Sequence, residues 1–556
     1  MENTDAKALL RRFNALRGKR DGYWRNLWRE VRRYCHPDMD CELTEGSLAN
    51  NARLFDTTAI QARDRLASGM YTWMAPGDRK WFRLAPLPAK SGGRPSSVEE
   101  SWFAGATDAL TEALNRSNYH GELLKALNDL ACGLDAVMYC EESADGSPTF
   151  RCFPIEDCCY CLDADDRLDT VFREIRMTAR NVVDHFARWK EAEVPQEIQD
   201  EAGDQSRCDA CHTILHVVLP RKEQKPDAVG VERMKYESVF LDERTGVVIL
   251  SGGYEEMPYA VCRFRKNGRE PYGRGPGIDL LPDIRMLNAM REAFIRNCEF
   301  SADPAWMIPE DSLVSRNFDR SPGALVFFRP SLNGQSPAPV SRQNNPQLDQ
   351  AVIDGERQRI REGFYWDVFD PLGDIRNMTA QEATIRNESK LVPFGPIACN
   401  IHNDLFRPML ERAFAILLRA GGVEPPPQEV VENGAYRVDF QSRIALAVKR
   451  QSALGWLQTE STLQGMTQVS PEVIDNFDFD RITRDIAESN GCDSTWLRAS
   501  SDVEKLRADR AQAQQEAQEQ QMALQVAGSA GQLSKKPETG SPMEGIMGAL
   551  AGDANQ

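Results

Sequence analysis

Apolar residues recur along this chain with two periods, and the period changes in blocks. Residues 5 to 36 repeat at intervals of three and four through Leu9, Phe13, Leu16, Tyr23, Leu27 and Val31, which predicts an amphipathic helix. Asp56 to Met74 predicts a second helix, leaving through Ala75-Pro76-Gly77-Asp78 into a strand at Trp81-Phe82-Arg83-Leu84. Two more helices, 97 to 116 and 119 to 131, follow a polar loop at 91 to 97. From Leu134 to Thr178 the pattern shortens to β-like runs. A short helix near 179 to 189 and an acidic loop then lead to strands at 213 to 219, 235 to 241, 246 to 251 and 258 to 264. The first half reads as an α+β body, helices first and a sheet after.

The second half is mostly helical. Gly268 to Gly277, GREPYGRGPG, reads as a flexible entrance, a hinge before a long helix from Ile278 to Asn297 with Ile278, Leu281, Ile284, Leu287, Met290 and Phe294 on one stripe. PAWMIP at 304 to 309 and ALVFFRP at 324 to 330 interrupt it as short strands, with an extended loop after them. A second long helix, Leu348 to Phe369, carries Val352, Ile353, Ile360, Phe364, Tyr365 and Val368. Met378 to Lys390 opens like a helix, with Thr379 and Glu382 at capping-box spacing. Leu391-Val392-Pro393-Phe394-Gly395-Pro396 then denies it a continuous backbone. Asn400 to Arg419 is helical again and stops at Gly421-Gly422. A strand at Tyr436 to Phe440 precedes helices at 442 to 465, 478 to 489 and 501 to 527. The last has little apolar surface, so it is exposed or packed only by neighbours in an assembly. Residues 528 to 556 read as a disordered tail.

The length, 556 residues, allows roughly two to four folding units. Sixty-seven basic against 84 acidic side chains leave a net charge of -17, so the surface as a whole repels phosphate backbones. That opposes a tight nucleic-acid clamp but does not exclude a protein that surrounds nucleic acid without gripping it, because tight phosphate contacts would oppose sliding. The most basic stretch, from Arg11 to Arg33, is either a contact for nucleic acid or an acidic partner, or a salt-bridged helix face. The N-terminus lacks the apolar core of a signal peptide, and no run of 18 apolar residues occurs, so cytosolic synthesis with no membrane span is expected. The fourteen cysteines are then thiols.

Catalytic motifs are absent. Gly273-Arg274-Gly275-Pro276-Gly277 is neither a P-loop nor a dinucleotide fingerprint. Cys208-Asp209-Ala210-Cys211-His212 has the spacing of a haem attachment site without an export signal. Cys208, Cys211, His212 and His216, with Cys152, Cys158, Cys159 and Cys161 nearby, could be drawn as a zinc site, but small buried thiols are the favoured reading. Asp38-Met39-Asp40 is too short for a catalytic role, and Asp163, Asp165, Asp166 and Asp169 read as a solvated strand connection. No cofactor, metal or enzyme activity is expected.

The order of elements, an α+β body, GREPYGRGPG, a long helix, a β-containing excursion, a second long helix, MTAQEATIRNESKL, an interrupted turn and Asn400 to Arg419, resembles the portal proteins of short-tailed tailed bacteriophages, the podovirus head-to-tail connector family. The resemblance spans residues 5 to 500 and is sharpest over 268 to 420. It implies a portal fold: residues 1–267 as wing body, 268–301 as first stem helix with its hinge, 302–345 as clip, and 346–370 as second stem helix. Residues 371–440 would be a wing return with a channel loop near 391–396, 441–527 a helical crown, and 528–556 a tail. It further implies a ring of twelve identical subunits at the portal vertex of the virion, between head and tail, after synthesis in the bacterial host cytoplasm. Double-stranded DNA would pass through the ring during packaging and ejection. Partners would be a terminase, capsid and scaffold proteins, and tail adaptor or nozzle proteins.

On that reading the DNA-channel candidates are Arg386, Lys390, Leu391, Val392, Pro393, Phe394 and Gly395. Lys390 serves either the channel or an intersubunit ion pair, and Phe394 either DNA or a packed anchor. Arg285, Arg291 and Arg296 are DNA-facing charges or subunit salt bridges. Two other classes stay open: a head-tail adaptor or virion scaffold without a channel, and a DNA-processing nucleotide hydrolase, which would need a phosphate cradle.

Overall fold

The N-terminal stripe folds as one rod, Asn3–Lys19 and Arg25–Cys35 joined through a π turn at Arg20–Trp24, where the Arg25 N–H donates to the Arg20 carbonyl. A π turn inserts one residue into the helical repeat and so rephases the side chains after it. In the computed structural model, which describes residues 3–37, 54–87, 96–222, 230–268, 270–302, 306–307, 338–339, 346–369, 390–433, 436–446, 456, 459, 463, 476–489 and 500–533, this turns Arg20 and Trp24 inward. Arg20 donates to Glu174 at 2.8 Å and to Asp21 at 2.8 Å. Arg32, also buried, is held by Asp129 at 3.0 Å and by both oxygens of Glu156. Arg12 reaches Thr170 and Arg17 reaches Glu243. Of the two readings of the basic stretch, these four arginines take the salt-bridged one.

The sheet that this rod covers is an antiparallel meander. Strands β1 (Phe82–Pro86), β2 (Ala136–Glu142) and β3 (Pro148–Phe153) precede its members, β4 (Cys158–Leu162), β5 (Leu168–Thr178), β6 (Cys211–Pro220), β7 (Tyr236–Asp242) and β8 (Val248–Tyr254). Strand alternation sends Leu215 and Val217 to one face, against Leu9 and Phe13 of the rod. Ile214 faces the other way, against Val182 and Phe186 of helix Ala179–Phe186 and Ile198 of helix Gln196–Gly203. The second of those helices occupies the stretch read as an acidic loop. Its one strong apolar residue, Ile198, is too weak a periodic signal. A three-stranded sheet, β3-β2-β9 with β9 at Tyr259–Cys262, lies beside the main one, and β1 pairs with β12 (Tyr436–Phe440), tying distant parts of the chain together. The described residues form an α+β structure.

The last three glycines of GREPYGRGPG, Gly273, Gly275 and Gly277, are closely packed. Gly133 closes the helix Tyr119–Cys132 in the left-handed conformation, φ 87°, and a Cβ on Gly275 would stand 2.7 Å from its Cα. A Cβ on Gly277 would overlap the Cys132 carbonyl oxygen. Two backbones touch here because neither carries a side chain. Pro276–Asp279 makes one helical turn, and the first long helix runs Leu281–Ala302.

The second long helix, Pro346–Gly363, lies antiparallel to it. At one end Leu280 packs so closely on Gly363 that a Cβ there would be 2.5 Å from it. At the other, β10 (Trp306–Met307) pairs antiparallel with β11 (Ala338–Pro339). Leu281, Ile284, Leu287, Ile353 and Ile360 are buried in the same core. The second helix stops at Gly363, short of the predicted Phe369, because Tyr365 adopts the left-handed conformation at φ 58°. Phe364 and Phe369 turn into the core. The final helix runs Ser500–Leu533, past the predicted end. Residues 38–40, 91–95, 324–330, 378–389, most of 447–475 and 534–556 lie outside the described residues. No helix among the described residues is long and apolar enough to cross a membrane.

Close packing at the glycine junction gives a direct expectation. Gly277→Ala should destabilise the protein by about 1–3 kcal/mol, the usual cost of overpacking. Gly105→Ala, in helix Ser97–Arg116 where a Cβ meets nothing within 4 Å, should raise stability by about 0.5–1 kcal/mol. Urea unfolding of both variants checks this, and equal effects at the two sites would contradict it.

Candidate functional site

The two prolines of the interrupted segment sit within a run of helical and 3-10 backbone from Lys390 onward. Lys390 and Leu391 are helical, Val392–Phe394 tightens into a 3-10 turn, and Gly395–Ile401 restarts as α-helix. Pro396 falls in its first turn, where a missing N–H leaves no intrahelical bond unmade. Twelve residues on, Pro408 would clash with the carbonyl four positions back in a regular helix. A π turn at His402–Phe406, closed by the Arg407 N–H on the His402 carbonyl, places Pro408 in the first turn of the next helix, Arg407–Arg419. Pro408 itself was the sequence signal for that turn.

Packing divides the channel candidates. Phe394 is fully buried, its ring set edge-on to Phe369 at 5.4 Å and Tyr365 at 5.6 Å, with Phe264 at 6.2 Å. Leu391 and Gly395 are buried as well. Pro393 is exposed and Lys390 half-buried. Arg386 lies outside the described residues. The short segment therefore hangs on an aromatic cluster made by the exit of the second long helix and by the stretch after β9, with Pro393 and Lys390 outward.

The π turn is anchored with equal specificity. His402 stacks on Phe440 of β12 at 4.1 Å and 10°, and burial, with Arg407 nearby, pulls its pKa down to about 4. Asp404 in the same turn pairs with Lys266 at 2.9 Å, which also approaches Asp166. Asp166 in turn holds the buried Arg263 at 2.8 Å.

The three arginines of the first long helix all have partners within the chain. Arg285 pairs with Glu30 of the N-terminal rod at 3.1 Å, Arg291 lies over the Phe294 ring at 5.4 Å, and Arg296 pairs one turn back with Glu292 at 2.5 Å. Arg296 keeps 73% of its side chain exposed, so that pair contributes little to stability.

The cysteine and histidine cluster does not converge. His212 is bound to Glu201 at 2.7 Å. Both ring nitrogens of His216 are occupied, by Tyr259 at 2.8 Å and Ser238 at 3.0 Å, and its ring stacks on Phe240. Burial raises the Cys158 and Cys159 thiols, the latter to about 11, which suits small apolar groups rather than thiolate ligands. Among the described residues no three His, Cys, Asp or Glu side chains form a metal-binding group.

One buried polar cluster escaped the sequence reading. Asp135, two residues beyond Gly133, is buried and accepts the Gly273 N–H at 3.0 Å, while Tyr160 stands 2.7 Å from its other oxygen. The alternating glycines at 273, 275 and 277 were its only signal, and they look the same whether a segment is loose or tightly packed.

With this geometry in view, the comparisons with known proteins are specific. Residues 6–497 match the family described as bacteriophage head to tail connecting protein. The chain is 26% identical over 555 residues to a probable portal protein of Bordetella phage BPP-1, and 24% identical over 551 residues to the portal protein of Salmonella phage epsilon15. Each alignment covers 96% of both chains. These matches run through the N-terminal rod, both sheets, the two long helices and the proline segment alike. The chain belongs to the bacteriophage head-to-tail connecting proteins, a structural family and not an enzymatic one.

Proposed function

We propose that twelve copies of this chain close into a ring at one vertex of the phage head, with an axial channel through which double-stranded DNA enters during packaging and leaves during ejection. The observation that carries this reading is the end-to-end family match, over residues 6–497, of a chain whose two long helices form an antiparallel pair around the excursion 303–345. In this reading the paired helices are the stem and the excursion is the clip, the docking surface for terminase and then for tail adaptor proteins. The body before residue 268 is the wing, seated against capsid proteins.

A ring needs one face of each copy to fit a different face of the next. The stem pair carries two suitable faces. Along the first helix Met286, Ala289 and Ala293 form an exposed stripe at helical spacing, and along the second Val352 and Gly355 do the same. Glycine in a helix interior costs about 1 kcal/mol relative to alanine, yet among the described residues, beyond the local backbone of its own helix, nothing lies within 4 Å of a Cβ at Gly355. Close approach of a neighbour's Met286 stripe supplies a reason for it.

DNA contact falls to Lys390 and Pro393, with Leu391 and Phe394 as the anchors behind them. The large negative charge keeps the remaining surface from holding phosphate, so a few basic groups at the constriction guide DNA without stopping it.

Two outcomes test this reading. Gly355→Trp should fold with an unchanged melting temperature but sediment as species smaller than the wild-type ring; rings at wild-type yield would remove the stem contact. Lys390→Ala combined with Pro393→Ala should assemble normal rings while the yield of stably filled heads drops several-fold. Phe394→Ala should instead lower stability by about 3–5 kcal/mol. A double variant that fills heads normally would exclude the segment from channel contact.

A further inference from the structure

The segment leading into the first long helix is fastened to the body at several points, among them the Arg265–Arg274 backbone bridge and a buried carboxyl whose proton can be placed by counting donors. Asp135 is 1% exposed. Its Oδ1 accepts the Gly273 N–H at 3.0 Å, and its Oδ2 lies 2.7 Å from the Tyr160 hydroxyl. That hydroxyl is also 2.8 Å from the Pro271 carbonyl oxygen. Tyr160 has one phenolic proton and two acceptors facing it. If Asp135 is ionised, the carboxylate keeps the Gly273 N–H, 3.0 Å from Oδ1 and 3.3 Å from Oδ2, but the one Tyr160 proton serves either Oδ2 or the Pro271 carbonyl, and the group that loses it is poorly satisfied in a buried site. If Asp135 is protonated, Oδ2–H donates to the Tyr160 oxygen, Tyr160 O–H donates to Pro271, and Oδ1 still takes the Gly273 N–H. Every group is then satisfied.

We propose that Asp135, Tyr160 and Pro271 form a proton-operated strap. With Asp135 protonated, two hydrogen bonds, Tyr160 to Pro271 and Gly273 to Asp135, hold residues 271–273 to the Asp135–Tyr160 pair; loss of that one proton to solvent turns the Tyr160 hydrogen to the carboxylate and releases Pro271. Pro271 lies just before Gly275 and Gly277, the glycines that touch the Tyr119–Cys132 helix end, so the proton biases how firmly the start of the first long helix is seated. The strap is built within one chain and does not rest on ring closure.

The charged and titratable groups facing Asp135 come from several elements. Arg263 follows β9 and is engaged by Asp166. Asp404 in the π turn is engaged by Lys266, Tyr272 lies on the strap itself, and Tyr160 comes from β4. Burial outweighs the lowering by Tyr160, the Gly273 N–H and Arg263, and moves the carboxyl from 3.8 to about 7. A raised carboxyl pKa means that the folded form binds the proton more tightly. The strap's contribution is complete below pH 3.8 and is lost as pH rises through about 7.

Hydrogen exchange of the amides at 271–277, corrected for intrinsic exchange rates and followed from pH 5.5 to 8.5 on the assembled protein, tests the proposal. Protection in the wild type should fall roughly 30-fold across that range, the one-proton linkage for this shift. Asp135→Asn, whose amide can donate to Tyr160 and accept from Gly273, should keep these amides protected at both ends of the range. Tyr160→Phe, which removes the relay, should abolish the step. If Asp135→Asn fails to fold, the infrared carboxylic acid band lost between wild type and Tyr160→Phe with rising pH gives the same information. Wild-type protection that is flat with pH, or a pH step that survives in either variant, would overturn the strap.

Discussion

Backbone lies directly on backbone where the helix Tyr119–Cys132 ends and the first long helix begins, and no side chain fits between them. Gly133 must turn left-handed to end one helix, Gly275 must lie against it, and Gly277 must pass the Cys132 carbonyl. That contact sets the direction in which Leu281–Ala302 leaves the body. The rest follows from it: Leu280 receives Gly363 of the returning helix, and the chain beyond delivers Phe364, Tyr365 and Phe369 to the cluster that holds Phe394. Position is thus transmitted from the sheet-bearing body to the proline segment through packed apolar groups. Close-packed interiors transmit small displacements because they have no voids to absorb them.

Polar groups around this framework are arranged to be satisfied internally. Arg20 and Arg32 are buried and held by carboxylates from β5, from the turn before β4 and from the Tyr119–Cys132 helix. Removing one member of such a set would leave an uncompensated buried charge, which costs about 3–5 kcal/mol. An arginine-rich helix in an acidic protein is therefore structural over much of its length. The lysine and proline that remain outward at residues 390 and 393 stand out against that background.

Much of the fold was legible as periodicity. Strands β6 to β9 alternate or run apolar over the predicted stretches, and both long helices carry stripes at three and four. What escaped has a common cause: single residues that change phase or backbone hand without changing composition. The π turns at Arg20–Trp24 and His402–Phe406 each add one residue to a repeat, and Tyr365 ends a helix from the left-handed region, where a non-glycine residue is rare. The close packing of Gly273, Gly275 and Gly277 escaped the sequence because missing side chains signal both freedom and close approach. For the segment 390–396, the prolines marked the break in the regular helix but not which of Leu391, Pro393 and Phe394 faces outward. That is decided by aromatic rings more than 20 positions away in the chain.

The central claim concerns assembly, and electron microscopy of purified particles tests it most directly because it returns subunit number and channel width together. The account predicts twelve subunits around an open axial channel wide enough for duplex DNA, with Lys390 and Pro393 at its wall and Phe394 behind them. A particle with a solid centre, or a stable oligomer that is not a closed ring, would contradict it.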